Sequence, residues 1–237
     1  MKVEAHGKDA AGSPTGPNLP RVAALVDWHD STVRDWHGDP AVAEATLERL
    51  GWEAGTRAVD LALAIGREHL TNIRLWHEED EARRPDVEDH VIAGVKRRID
   101  VLNQRRNDLI EAMDEGLTSV LEARGFVPDE DSRLHSETPG AIIDRLSILA
   151  LKIYHMREEA EREDADSGHR SRCSRRLEVL TRQRKDLAGC LERLLDEIVS
   201  GRARFRTYRQ FKMYNDPETN PAVRAARVEG RSQEGGS

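Results

Sequence analysis

The sequence predicts an all-α protein: a bundle of four long antiparallel helices preceded by one or two short ones. Three observations carry this. Apolar residues recur at three- and four-residue steps over four long stretches, the spacing that lays them along one side of a helix. The alternating β-branched runs of a sheet protein are missing, and aromatic residues make up only 4% of the chain. The breaks between the stretches are short and hold proline, glycine or a capping residue. With 38% hydrophobic and 34% charged residues, the core has to be built from narrow stripes.

Taken in order, residues 1 to 19 are rich in Gly, Pro, Ala and Ser and are expected to be disordered, as is the tail from 222 to 237. The span from 20 to 221 is expected to form a single helical-bundle domain. A short helix runs from Val22 into "DWHDSTVRDWH", where Trp28 with His29 and Trp36 with His37 are expected to pack it onto the bundle, a binding lid being the alternative. A small helix is expected near 40 to 50. The first long helix covers about 55 to 84, and Pro85 closes it and starts the next. The second covers about 87 to 124 and ends at Gly125, before the loop "FVPDEDSRLHSE". Thr138 caps the third, from 139 to 164, with Pro139 at its first position. "DADSG" separates it from the fourth, about 170 to 200. The connections suit antiparallel neighbours.

The stripes are interrupted at telling places. In the fourth long helix Leu177, Leu180, Leu187, Leu191, Leu194 and Ile198 form a seam broken by Arg184. In the second, Ile92, Val95, Ile99, Leu102, Leu109, Met113 and Leu117 are broken by Arg106, with Asn103 on the same face and Lys96, Asp100, Asn107 and Asp114 along its edge. The first runs apolar through Ile65, Leu70, Ile73 and Trp76, then continues as His77, Asp80 and Arg84. The third, "IIDRLSILALKIYHM", is apolar around its whole circumference except for Asp144, Arg145, Lys152 and His155. At about 100° per residue, Asp144 and His155 lie nearly in line over three turns, with Arg145 and Lys152 next to them. An unpaired buried charge costs several kcal/mol, so these groups need partners on the other helices. One reading is a self-neutralising structural network. The other is an interior ligand site, with His77 and His155 moving protons, oriented by Asp80 and Asp144. In that site Lys96, Asp100, Asn103, Arg106, Asn107, Arg145 and Lys152 contact an anionic ligand.

Several function classes find no footing. A net charge of −7 offers no overall footprint for nucleic acid. The basic segments "HRSRCSRR" and "RARFRTYRQFK" are surrounded by acidic stretches and suit a solvated helix face or an anionic partner. Two cysteines, Cys173 and Cys190, fit a reducing compartment without a disulfide framework. No run approaches the roughly 20 apolar residues of a membrane span, and no signal sequence opens the chain, so a cytoplasmic location is expected. His77 with Asp80 and His155 with Glu158 repeat one spacing, but the di-iron order Glu-x-x-His is absent, and no metal is expected. Glu78, Glu81, Glu111 and Asp114 imitate a magnesium-binding pyrophosphatase pattern only as chance would in so charged a chain. No nucleophile elbow or glycine-rich phosphate loop is present.

The stretches "NIRLWHEEDEAR" (72 to 83), "KRRIDVLNQRRNDLIEAMD" (96 to 114), "ETPGAIIDRLSILALKIYHM" (137 to 156) and "FKMYNDPETNP" (211 to 221) together resemble the DUF4254 family. The resemblance implies an all-helical fold. It also implies a setting near glycosyltransferases and cell-surface polysaccharide genes in bacteria, and no catalytic residues. It further places the last of these stretches in the domain, either as a docking tail through Phe211 and Tyr214 or as a cover over one end of the bundle. The function expected is binding or transformation of a small anionic metabolite, a sugar phosphate or nucleotide sugar, in a glycoconjugate or secondary-metabolite pathway. The competing class is a non-catalytic adaptor for a glycosyltransferase or similar partner. An enzyme needs an open pocket at the polar cluster, whereas an adaptor needs a sealed network and an exposed apolar patch.

Overall fold

The computed structural model describes residues 19, 21–39, 57–126, 129–210, 218–221 and 224–225. The fold is all-α. Among the described residues the helices are α1 (Val22–Gly38), α2 (Arg57–Glu81), α3 (Asp89–Glu122), α4 (Pro139–Glu161) and α5 (Ser167–Val199). The chain divides into two compact units, Met1–Thr207 and Tyr208–Ser237, and these helices belong to the first. The helix expected near 40 to 50 and most of both terminal tails lie outside the described residues, as does the segment 211–217.

Local chemistry sets the ends of the helices. Helix α2 stops at Glu81, three residues short of the expected end, because the chain tightens ahead of Pro85 into turns in which Arg83 N–H donates to the Asp80 carbonyl and Arg84 N–H to that of Glu81. Gly125, at φ +79°, closes α3: its N–H donates to the Glu122 carbonyl and Phe126 N–H reaches back to that of Leu121. Gly201, at φ +71°, repeats the device after α5, with its N–H on the Ile198 carbonyl and Arg202 N–H on that of Glu197. Thr138 caps α4, its hydroxyl accepting from Ala141 N–H at 3.2 Å. Asp166 caps α5 by accepting from His169 N–H at 2.9 Å, so that helix starts at Ser167 rather than 170.

Helix α4 is the hub. It runs against α5 along its length and also borders α1, α2 and α3, while α2 packs chiefly on α3. The arrangement is thus less symmetric than four equivalent rods, and it explains why α4 is apolar all round. Ile142, Ile143 and Leu146 join Leu61, Ile65, Met113, Leu117, Leu187, Leu191 and Leu194 in the main core, which also takes in Leu19, Val22 and Leu25. A second cluster joins Val33, Leu70, Ile73, Ala150 and Leu151 under Trp36, Trp76 and Tyr154. The loop expected before α4 holds a strand, β1 (Arg133–Leu134), paired in parallel with β2 (Ala203–Arg204) after α5. Two residues per strand leave no alternation for a sequence pattern to display.

Candidate functional site

Polar groups meet between α2, α3 and α4 in a network centred on Asp144. Arg106 grips that carboxylate with two hydrogen bonds of 2.5 Å, Nε to Oδ1 and Nη2 to Oδ2. The Asn72 amide, on α2, donates to Asp144 Oδ1 at 3.1 Å, to Ser147 Oγ at 3.0 Å and to Glu68 Oε1. Burial raises the Glu68 carboxyl well above the usual range, and the nearby Asp144 charge adds to it. Its Oε2 is buried with no hydrogen-bond partner in the chain. Burial also pushes Asp144 upward, but the Arg106 hydrogen bonds outweigh it and hold the carboxyl below its ordinary value. The network therefore holds one cation, one anion and one neutral acid. It balances its own charge.

A histidine continues this network to α1. His69 Nε2 lies 3.2 Å from the His29 carbonyl, which can only accept, so Nε2 carries the hydrogen. Nδ1 is then the acceptor for the Ser147 hydroxyl, 2.8 Å away. Burial lowers His69 to about 3, so the ring is neutral, and its centroid lies 4.4 Å from that of His29.

A second, outer cluster lies beyond Leu70, Ile73 and Leu151. Trp76 stacks on His155 with centroids 4.8 Å apart and planes 8° from parallel. His37 comes within 5.0 Å of the His155 ring and 5.3 Å of His77, centroid to centroid, and stacks on Tyr154. His37 Nδ1 donates to the Val33 carbonyl at 2.7 Å, and His155 Nδ1 lies 2.9 Å from Glu158 Oε2. Burial lowers His77 and His155, each ring's neighbouring imidazoles add to this, and Asp80 opposes it in both.

Of the clefts that reach these clusters from outside, two share Trp76 in their lining. One, about 690 Å³, opens between the C-terminal half of α4 and the N-terminal half of α5, and is lined by Trp76, His155, Lys152, Arg172, Arg175 and Arg176 among others. The other, about 420 Å³, lies on the far side of Trp76, where Asn72, Asp80, Asn103 and Arg106 line it. Among the described residues no three His, Cys, Asp or Glu side chains are placed to hold a metal ion, and no helix is long and apolar enough to cross a membrane.

The structure thus gathers some of the expected residues and disperses others. Asp144 and Arg106 meet at the centre. His77 and His155 meet in the outer cluster near Asp80, which is itself exposed. Asp144 does not orient His155, as the sequence had suggested: the two belong to different clusters, and Glu158 is the partner of His155. Lys96 and Asp100 are not interior groups either. They sit at the edge of the α3 stripe, where both reach water, and pair with each other at 2.6 Å one turn apart. Arg145 likewise points outward and pairs with Glu137 at 2.7 Å. Lys152 is exposed and lines the α4–α5 cleft rather than the core. Asn103 and Asn107 are half-buried, and of the two only Asn103 lines the cleft beside Arg106.

Glu68, His69, Asn72, Ser147, His29 and His37 are members of these clusters that the sequence reading did not single out for a site. A signal existed for His69: it sits four residues after Ile65 and four before Ile73, in the middle of the apolar stripe. Ser147 follows Asp144 by three, one turn along the same face.

No curated protein matches the chain, and no solved structure does. The sequence profile of the family described as "Protein of unknown function (DUF4254)" matches residues 62–207, which run from within α2 to just past β2 and include every residue of the Asp144 network. The chain belongs to the DUF4254 family.

Proposed function

We propose that the protein binds a small phosphate-bearing metabolite, a sugar phosphate or nucleotide sugar, in the cleft between α4 and α5. The observation that carries this reading is the gathering of Lys152, Arg172, Arg175 and Arg176 around the Trp76–His155 stack, against Glu159 as the single acid of the lining. Glu159 is itself engaged by His169 at 2.7 Å and by Arg162 at 3.0 Å. Among the described residues Lys152, Arg175 and Arg176 form no ion pair, so their charge is available to an anion. Trp76 supplies a flat apolar wall for the rest of the ligand. His155, held by Glu158, is the group at the wall that can move a proton, and burial lowers its pKa from the ordinary imidazole value. On this reading the protein works in the cytoplasm in a glycoconjugate or secondary-metabolite pathway, and the Asp144 network braces α4, which forms one wall of the cleft.

Calorimetric titration with inorganic pyrophosphate, glucose 1-phosphate and uridine diphosphate tests the reading. Binding by at least one probe, weakened roughly tenfold or more in R175A/R176A, is expected. Absence of binding by all three at millimolar concentration overturns it. The second reading, an adaptor for a glycosyltransferase-type partner, is favoured by the self-balanced charge and deep burial of the Asp144 network. It predicts a stable complex with such a partner that survives R175A/R176A.

A further inference from the structure

Helix α1 meets the bundle through imidazoles. Of the nine histidines in the chain, five lie where it docks: His29 against His69 on α2, and His37 against His77 on α2 and His155 on α4. Ten buried side-chain polar atoms among the described residues have no hydrogen-bond partner in the chain, and five of them belong to α1: Trp28 Nε1, both ring nitrogens of His29, Thr32 Oγ1 and His37 Nε2. His29 and Thr32 are 1% and 0% exposed, so these atoms are buried without a partner from the chain. This seat is poorly compensated, whereas the apolar contacts of Val22, Leu25 and Val33 and the Arg184–Asp30 bridge at 2.5 Å hold it in place.

We propose that α1 is an acid-released lid: protonation of the paired imidazoles at its seat, one on α1 and one on α2, lifts the helix and opens the Glu68, His69, Asn72 and Ser147 group to solvent. The groups facing the inner pair set the direction. Arg184 of α5 adds positive charge near His29, and Ser147 of α4 offers His69 a hydroxyl rather than a carboxylate. On α2, Glu68 is held neutral, while Asp144 of α4 is occupied by Arg106. A second positive ring at 4.4 Å is therefore unsupported. The outer trio is better prepared, because Asp80 of α2 and Glu158 of α4 face His77 and His155, with Arg34 of α1 and Arg74 of α2 nearby. Release is driven by the inner pair.

The geometry agrees with the titration of the closed state. Burial holds His69 at about 3 and His29 well below 6.5, and both regain ordinary values once α1 lifts. On opening, His29 and His69 each take up a proton, while Glu68, neutral when buried, gives one up as it regains an ordinary carboxyl. Below about pH 6.5 the open form therefore gains about one proton net, and closure weakens roughly tenfold per pH unit.

Hydrogen–deuterium exchange of the full chain between pH 7.5 and 4.5, corrected for the intrinsic chemical rate, reads the lid directly. Amides of 22–38 are expected to lose protection at least tenfold by pH 5 while those of 142–153 keep theirs. Full protection of α1 down to pH 4.5, or simultaneous loss in α1 and α4, overturns the proposal. In His29→Gln the acid response should shrink by at least half on a logarithmic scale, and an unchanged response also overturns it. Should that variant fail to fold, ring-nitrogen NMR of the natural protein decides. His29 and His69 must titrate at the pH where α1 loses protection, and titration under an intact lid rejects the mechanism.

Discussion

Arg106 on α3 and Asp144 on α4 are joined by two parallel hydrogen bonds, with Asp144 5% and Arg106 26% exposed. The pair occupies a place on each helix where the stripe predicts hydrocarbon, so each charge is tolerated only because of the other. Arg106→Met should therefore destabilise the protein by about 3–5 kcal/mol, since it leaves a buried carboxylate without its cation. The double variant R106M/D144L should recover most of that loss. Chemical denaturation of the four proteins in the cycle measures it, and a near-additive double variant would refute the coupling.

Asp114 and Gly140 give a sharper steric prediction. The Gly140 N–H donates to Asp114 Oδ1 at 2.7 Å, and a Cβ built on the glycine would stand 2.8 Å from that oxygen and 2.8 Å from the Ile110 carbonyl. One of these contacts is backbone and cannot swing away. Gly140→Ala is expected to lower stability by about 1–3 kcal/mol, visible as a fall in Tm, despite alanine's better helix propensity.

The same carboxyl predicts a pH effect of defined sign. Burial raises Asp114 from 3.8 to about 6, although Thr138 and Gly140 hydrogen-bond to it. The folded protein then holds this proton more tightly than the unfolded chain. Its contribution to stability is full below pH 3.8, declines as pH rises to about 6 and is lost above that. Asp114→Asn removes the dependence. The stability difference between variant and natural protein should move in favour of the variant by up to about 3 kcal/mol between pH 3.5 and pH 7.5. Parallel denaturation curves at the two pH values would expose a flat difference if the argument is wrong.

Arg184 and Asp30 tie α5 to α1, and their side chains are 15% and 26% exposed. Arg184→Met should cost only about 1 kcal/mol of global stability, because its stem is replaced by an apolar one of similar length. Its local effect is expected to be larger, with faster amide exchange in 22–38 and none in 142–153.

The helices were legible because their signals are local: Thr138 and Pro139 announce α4, Gly125 ends α3, and the stripes give direction. Arg106 and Arg184 were legible as anomalies, since a guanidinium in an apolar seam demands an acid. Which acid answers was not legible for Arg184, because Asp30 lies 154 residues away on a helix whose seating only the tertiary fold decides. Lys96, Asp100 and Arg145 misled for a related reason. A long side chain at the edge of a stripe turns to water and finds a partner nearby, and helical periodicity cannot distinguish edge from interior there. Asn72 and Ser147 escaped notice because short polar side chains inside a helix fit either surface or core. Their roles follow from the Asp144 carboxylate and the His69 ring that happen to face them.

The small parallel ladder has a mechanical consequence. Beside the pairing of Arg133 with Ala203, His135 N–H donates to the Arg204 carbonyl at 2.8 Å, and Ser132 Oγ to that of Gly201 at 2.6 Å. The strand entering the α4–α5 hairpin is thus buckled to the strand leaving it, and the hairpin becomes a closed loop. Tension on the chain past β2 is taken up by this buckle in shear, before it can begin to peel α5 from its neighbour.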